Sequence, residues 1–251
     1  MRRVALVVGG ASGIGAATAR ALAADGVRVA VADLVKEAAL SVAAGLDGKG
    51  HVAFDVDLGV EDSVVALLAA VEQAMGPVAI MVITAAVPGF VDGVRPSIKQ
   101  TTADDWDRVT AVNVRGPFLC VRELFKHRVT SPVENGRVIL VASMAAQTLT
   151  RHSPPSYVSS KGAILAFTKV AAREAGEHAM TVNVVSPGAV DTPMLRTVMA
   201  PGADAEYFSK SNVNRTAQPE EIAVAIAFLA KIEAGYINGA CIDVNGGAFM
   251  R

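Results

Sequence analysis

The sequence predicts an α/β protein built on a doubly wound parallel sheet of about seven strands with helices on both faces. Three observations lead there. Short β-branched runs alternate along the chain with longer alanine-rich segments of helical period, the pattern of repeated βαβ units. Most of the short runs are apolar throughout, as strands buried on both faces must be. The first of them leads directly into a glycine-rich corner, Gly9-Gly10-Ala11-Ser12-Gly13-Ile14-Gly15, from which a helix begins.

In chain order, the first strand is expected at Val4 to Val8 and its helix at Ile14 to Ala24, followed by a strand at Val27 to Ala32 and a helix at Lys36 to Ala44. A strand at His51 to Phe54 and a helix at Glu61 to Met75 come next, then a strand at Val78 to Ala85 and a long helix over Thr102 to Arg128. The second half continues with a strand at Arg137 to Ala142, a helix at Ser156 to Glu177, a strand at Thr181 to Ser186, a helix at Pro219 to Ala230 and a last strand at Ala240 to Val244. The Pro219 helix opens with proline in its first turn and then Glu220 and Glu221, which face the positive end of the helix dipole. Residues 1–251 are read as one domain. Two segments break the rhythm: Val87 to Thr101, with two prolines and two glycines, and Pro187 to Ala217, with three prolines. Both follow the carboxyl end of a strand, the ligand side of an open α/β sheet, and the second is expected to be a substrate lid over about 187–217.

Composition narrows the function. The chain has 251 residues, 52% hydrophobic and 19% charged, which excludes intrinsic disorder. With 23 basic against 24 acidic residues the net charge is -1, so no field is present to hold nucleic acid or an anionic membrane surface. The longest uncharged run, Gln73 to Val91, is interrupted by Gly76, Pro77, Pro88 and Gly89 and is too short to span a bilayer. The N-terminal apolar run is too short for a signal-peptide core, so the cytoplasm is the expected location. Cys120 and Cys241 stand far apart among apolar neighbours and read as reduced core residues. The four histidines lack ligand spacing, and no metal site is expected.

The glycine corner lets the backbone turn tightly and approach a ligand, and the amide groups at the helix start favour a pyrophosphate. Its spacing, Gly-x3-Gly-x-Gly, differs from the general dinucleotide fingerprint, and by itself it also fits an ordinary strand-to-helix turn. Asp33 ends the second strand twenty positions after Gly13, where an acidic residue accepts the two hydroxyls of an adenosine ribose. Its plain alternative is a surface aspartate capping the next helix. Tyr157 and Lys161 lie four apart, on one face of a helix, and a neighbouring ammonium favours phenolate. A solvent-facing pair has the same spacing. What distinguishes this one is the preceding strand, which ends at Val141-Ala142-Ser143 and can present a hydroxyl beside the phenol.

These motifs, with Asn113-Val114-Arg115-Gly116, Pro187-Gly188-x-Val190-x-Thr192 and Val244-Asn245-Gly246-Gly247, follow one another in a fixed order. Over essentially its whole length the sequence resembles the short-chain dehydrogenase/reductases, of the single-domain type of about 250 residues with a Rossmann-like sheet. The resemblance implies that Tyr157 exchanges a proton with the substrate oxygen, that Ser143 hydrogen-bonds that oxygen, and that Lys161 holds the nicotinamide ribose and lowers the pKa of Tyr157. Asn113 is implied to sit at a break in its helix, its carbonyl holding a water that links Lys161 to solvent. The implied cofactor contacts are Gly9, Ser12, Gly13, Ile14 and Gly15 at the pyrophosphate, Asp33 and Leu34 at the adenosine ribose, Asp55 and Val56 beside the adenine, and Thr84 and Ala85 beside the adenosine ribose and core. Pro187, Gly188, Val190 and Thr192 are implied to fix the carboxamide. Two positions depart from the family: Val8 replaces a threonine, and Ile83-Thr84-Ala85-Ala86 replaces Asn-Asn-Ala-Gly, which puts the local hydrogen bonding of the central sheet in question.

The expected activity is hydride exchange between NAD and a secondary alcohol or ketone. Asp33, followed by apolar Leu34 and Val35, disfavours a 2'-phosphate. The rivals are an NADPH-dependent carbonyl or 3-oxoacyl reductase and a non-catalytic dinucleotide-binding sensor. A substrate wall of Val87, Pro88, Phe90, Met144, Gln147, Leu149, Met194, Leu195, Val198, Met199, Tyr207 and Phe208 points to a compact apolar or cyclic substrate, with Arg151, His152 and Arg196 expected to face solvent. A homotetramer is expected, pairing the Thr102 to Arg128 and Ser156 to Glu177 helices between subunits.

Overall fold

The protein is described from a computed structural model over residues 3–148, 152–199 and 211–250. The first half contains β1 (Val4–Val8), α1 (Gly13–Ala24), β2 (Arg28–Asp33), α2 (Lys36–Ala44), β3 (Val52–Asp55), α3 (Glu61–Met75) and β4 (Val78–Ile83). Then come α4 (Ala103–Thr110), a π turn at Ala111–Arg115, α5 (Gly116–Thr130), β5 (Gly136–Val141), a 3-10 turn at Met144–Ala146 and α6 (Pro155–Ala175). The chain closes with β6 (Met180–Pro187), α7 (Pro193–Val198), α8 (Pro219–Ala230) and β7 (Cys241–Val244). The strands form one parallel sheet in the order β3-β2-β1-β4-β5-β6-β7.

Strand pleating divides the core into two halves. On one face Val4, Leu6 and Val8 of β1 pack with Leu67, Leu68 and Val71 of α3, Leu119 and Leu124 of α5 and Ile164 of α6. On the other, Ala5 and Val7 pack with Leu22 of α1, Ala39 of α2 and Ile222, Ile226 and Leu229 of α8. Because both faces are covered, β1, β4 and β5 are buried at every residue, which is why they read as unbroken apolar runs. After β3 the chain crosses back to place β4 on the other side of β1, so the order reverses between them. The two strand ends diverge there and open a crevice.

Most boundaries fall within two residues of the sequence expectation, and three differences have physical causes. The strand expected to reach Ala85 stops at Ile83, because the amides of Thr84 and Ala85 both turn onto the Val8 carbonyl, at 2.9 and 3.2 Å. The long helix expected over Thr102 to Arg128 is divided by the π turn: Gly116 N–H bonds back to Ala111, and Pro117 has no N–H to give to Asn113, four residues earlier. The segment after β6, expected to be irregular, contains α7, with Pro193 in its first turn and the Thr192 hydroxyl accepting from Leu195 N–H at 3.2 Å. No helix among the described residues is long and apolar enough to cross a membrane.

Candidate active site

The crevice continues into a cleft of about 780 Å³ above the carboxyl ends of the strands. Its nucleotide half begins at the glycine corner. Gly9 has φ +81°, and a Cβ there would lie 2.5 Å from Ala85 N; a Cβ on Gly15 would lie 1.9 Å from Gly9 O. Only glycine lets these backbones meet. Ser12 stands at the start of α1 with no side-chain hydrogen bond capping the first turn, which leaves those amides facing the cleft for an anion.

Asp33, at the end of β2, accepts from Ala11 N–H at 3.0 Å and from Val35 N–H at 3.3 Å, one bond to each carboxylate oxygen. Each oxygen keeps a further lone-pair site, enough for a pair of ribose hydroxyls. Leu34 and Val35 beside it line the cleft and are exposed, 68% and 53%. The nearest lysine in sequence, Lys36, is paired with Asp55 at 2.9 Å. Asp55, expected beside the adenine, pairs in register with Asp33; it is exposed, its carboxylate engages Lys36, and it is not among the residues that line the cleft. Val56 lines the cleft as expected, together with Asp57 and Leu58, which sequence reasoning missed.

Thr84 answers the question raised by the altered fourth-strand motif. Its hydroxyl lies 3.0 Å from both the Val8 and the Gly9 carbonyls, so a short side chain ties β4 to the glycine corner where the family carries asparagine.

At the end of the cleft where the catalytic residues are expected, Ser143 follows β5 and starts the 3-10 turn, its hydroxyl accepting from Ala145 N–H at 3.1 Å. Tyr157, in the first turn of α6, lines the same wall. Burial holds its phenol above the ordinary value, and a side-chain interaction with Ser143 opposes the rise. Lys161, one turn along, is buried, donates to the Val141 carbonyl at 2.9 Å and lies 5.8 Å from the centroid of the Tyr157 ring. Burial brings its pKa down to about 8. Desolvation is the largest influence on both groups, and the ammonium donates to a backbone carbonyl.

Asn113 lies buried in the π turn. Its amide donates to Val87 O at 2.9 Å and to Ser160 Oγ at 3.1 Å and accepts from Val87 N–H at 2.8 Å, while Ser160 donates to Tyr157 O at 2.7 Å. The side chain thus joins the segment after β4 to the turn bearing Tyr157. Pro187, Gly188, Val190 and Thr192 all line the cleft.

In the substrate half, Val87, Pro88, Phe90, Met144, Met194, Leu195 and Val198 form the wall as expected. Gln147 and Met199 do not line it; the Gln147 amide turns away, to Ser186 and Asp243. His152 lines the cleft, contrary to expectation. Arg196 is half-exposed and gripped by Asp191 through two bonds of 2.7 and 3.0 Å. Leu149, Arg151, Tyr207, Phe208 and the 200–210 part of the expected lid lie outside the described residues. Sequence reasoning also missed Arg215 and Glu221, a two-bond pair at 2.6 and 2.7 Å on the cleft rim, where the guanidinium holds the Glu221 pKa near about 2. Neither belongs to a motif whose spacing announces the pairing.

Comparison with known proteins agrees with this geometry. Residues 9–248 match the family model described as enoyl-(acyl carrier protein) reductase. A short-chain dehydrogenase/reductase of Armillaria gallica is 37% identical over 258 residues, covering 98% of this chain and 95% of the relative. A cis-4-hydroxycyclohexanecarboxylate dehydrogenase of Sinomonas cyclohexanicum is 36% identical, covering 98% and 96%, and a (3R)-3-hydroxyacyl-CoA dehydrogenase of Canis lupus familiaris is 34% identical, again 98% and 96%. Among solved structures, a short-chain type dehydrogenase/reductase from Mycobacterium marinum superimposes with a TM-score of 0.91 at 28% identity, covering 99% of this chain and 96% of that one. The chain belongs to the short-chain dehydrogenase/reductase family of oxidoreductases, whose members use a nicotinamide dinucleotide.

Proposed function

We propose that the chain is an NAD-dependent oxidoreductase that interconverts a secondary alcohol and its ketone, with Tyr157 as general acid and base. The observation that carries this reading is the convergence of Ser143, Tyr157 and Lys161 on one wall of the cleft that also holds the glycine cradle and Asp33. The residues fit the dinucleotide: Gly9 and Gly15 let the strand end, the segment after β4 and the start of α1 approach too closely for a Cβ, and the corner so formed lines the cleft with helix-start amides suited to a pyrophosphate. When bound, the nicotinamide supplies or accepts the hydride.

The chain's own residues manage the proton. The Tyr157 phenol, protonated at neutral pH like any ordinary tyrosine and shifted further that way by burial, is suited to give its proton to a carbonyl oxygen during reduction. Ser143 donates to the same oxygen and orients it. In the oxidative direction Tyr157 takes the alcohol proton, and the phenolate requires positive charge nearby; Lys161 is the one lysine among the described lining residues. Asn113 holds the Tyr157 turn against the segment after β4, and Pro117, with no N–H to give to the Asn113 carbonyl, suits that carbonyl to a proton-conducting water.

Preference for NAD follows from Asp33, with apolar Leu34 and Val35 after it and Lys36 engaged by Asp55. The apolar wall favours a compact or cyclic substrate, because a polyol would leave hydroxyls unpaired at about 1 to 3 kcal/mol each. The substrate named for the Sinomonas relative, a hydroxycyclohexane carboxylate, shares the ring but adds an anionic group, so the panel includes it among the hydroxy acids. Subunits are proposed to associate as a homotetramer, to which exposed Phe118 of α5 and Val170 of α6 offer apolar surface. Light scattering at micromolar concentration checks this, and a monomer refutes it.

The deciding experiment is turnover of a panel of cyclic and aryl alcohols, sugar alcohols, hydroxy acids and 3-hydroxyacyl thioesters with NAD and NADP. Highest efficiency for the apolar ring alcohols with NAD is the expected result. Preference for NADP with thioesters would establish the rival reductase, and binding of dinucleotide without turnover would establish the sensor.

A further inference from the structure

We infer that Gln147 is a positioning residue for Ser143: its side-chain amide ties the turn that carries the Ser143 hydroxyl to the ends of β6 and β7. The inference rests on the reading of Ser143 as the group that holds the substrate oxygen.

The turn is internally closed. Ser143 Oγ accepts from Ala145 N–H at 3.1 Å, Ala146 N–H returns to Ser143 O at 3.0 Å, and Gln147 N–H returns to Met144 O at 2.9 Å. At its near end the turn is held by β5, where Ala142 N–H bonds to Val185 O at 2.9 Å; a second anchor at its far end fixes the rotation about that exit. That anchor is Gln147, whose Nε2 donates to Ser186 Oγ at 2.7 Å and to Asp243 Oδ1 at 2.8 Å. Ser186 and Asp243 are register partners on β6 and β7, and each is followed by a residue of the cleft lining, Pro187 and Val244. The amide therefore fixes the substrate-side hydroxyl relative to the segment proposed to hold the nicotinamide carboxamide.

The residue type matters. A primary amide can give one N–H to each of two acceptors, and the bond to the carboxylate is charge-assisted. A glutamate in the same place has no N–H and would set a second carboxylate against Asp243. Two carboxylates at such a distance cannot both ionise without a large penalty, so the pair would take up a shared proton and recover a hydrogen bond as pH falls. Among the described residues, these other titratable groups pack around the pair. Cys241 directs Sγ at Asp243 Oδ1 from the same strand, 3.8 Å away, and α6 brings Tyr157 against Ser143 and Lys161 onto Val141 at the end of β5. From α8, which packs on β7, Glu220 is paired with Arg20 and Glu221 with Arg215.

The test uses the full chain with the best alcohol of the panel. Gln147→Glu should lower kcat at least about tenfold at pH 8 with KM for NAD within about twofold, and its kcat relative to wild type should rise towards pH 6. The exchange variant Gln147→Glu with Asp243→Asn reverses donor and acceptor, so that the new amide at 243 donates to the new carboxylate at 147. It should bring kcat back to within about threefold of wild type and abolish the pH dependence of the ratio. If Gln147→Glu does not fold, Gln147→Ala takes its place, with the same kcat loss at constant KM for NAD. A merely structural contact would lower melting temperature while leaving the folded variants with wild-type kcat, and that result overturns the inference. So does a deficit that is flat with pH or undiminished in the exchange variant. A wild type that turns over no alcohol removes the reading of Ser143 and this inference with it, which separates the two failures.

Discussion

Lys161 Nζ donates to the Val141 carbonyl across 2.9 Å, which joins the helix bearing Tyr157 to the carboxyl end of β5. One neutral acceptor does not replace the hydration of a buried ammonium, and the pKa falls to about 8 from an ordinary 10.5. Between those values the folded chain binds fewer protons than the unfolded chain, so this group's contribution to stability rises with pH. Below pH 8 both states are charged and the full burial penalty applies.

In the cofactor-free protein, stability relative to Lys161→Met should therefore increase by about 2 kcal/mol as pH is raised from about 7.5 to 10. Urea titration of both proteins over that range measures it. A stability difference that does not change with pH would show that Lys161 is solvated.

Catalytic efficiency should favour NAD over NADP by more than about tenfold, since a 2'-phosphate would face the Asp33 carboxylate. Asp33→Ala with Leu34→Arg should reverse the preference. Steady-state kinetics with both cofactors decides, and equal efficiency in the wild type would remove Asp33 as the discriminating group.

Tyr157→Phe deletes the transferable proton and one interaction with Ser143. Turnover should fall by about 10² or more, with NAD affinity within a few fold of wild type. Turnover within tenfold of wild type, measured alongside cofactor titration by fluorescence, would reassign the acid–base group.

Thr84→Val keeps the side-chain shape and removes the hydroxyl shared between Val8 O and Gly9 O. Val8 O retains the Thr84 and Ala85 amides, so the loss falls on Gly9 O. Destabilisation of about 1 kcal/mol and weaker NAD binding are expected. Unchanged thermal unfolding and unchanged affinity would mean that this tie contributes nothing to the corner.

Periodicity and local chemistry made much of this protein legible in its sequence. The strands buried on both faces could only be apolar runs, the glycine corner demands backbones that approach too closely for a Cβ, and a spacing of four on a helix places Tyr157 above Lys161. The division of the long helix was also encoded, in Pro117, whose missing N–H forces the break beside Asn113.

What the sequence could not decide was the direction and partner of side chains whose neighbours come from distant strands. Gln147 looked like pocket wall until the fold brought Asp243, 96 positions away, within 2.8 Å. Nothing in the local sequence showed that the Asp55 carboxylate engages Lys36 or that His152 turns to the cleft rather than to solvent. The titration of Lys161 belongs to the same class, because desolvation is set by everything packed around the ammonium, not by its neighbours in the chain. Backbone conformation follows from local sterics and hydrogen bonding, which sequence carries; rotamer choice, ion pairing and burial depend on which surfaces meet when the sheet closes over its helices, and only the tertiary structure supplies that.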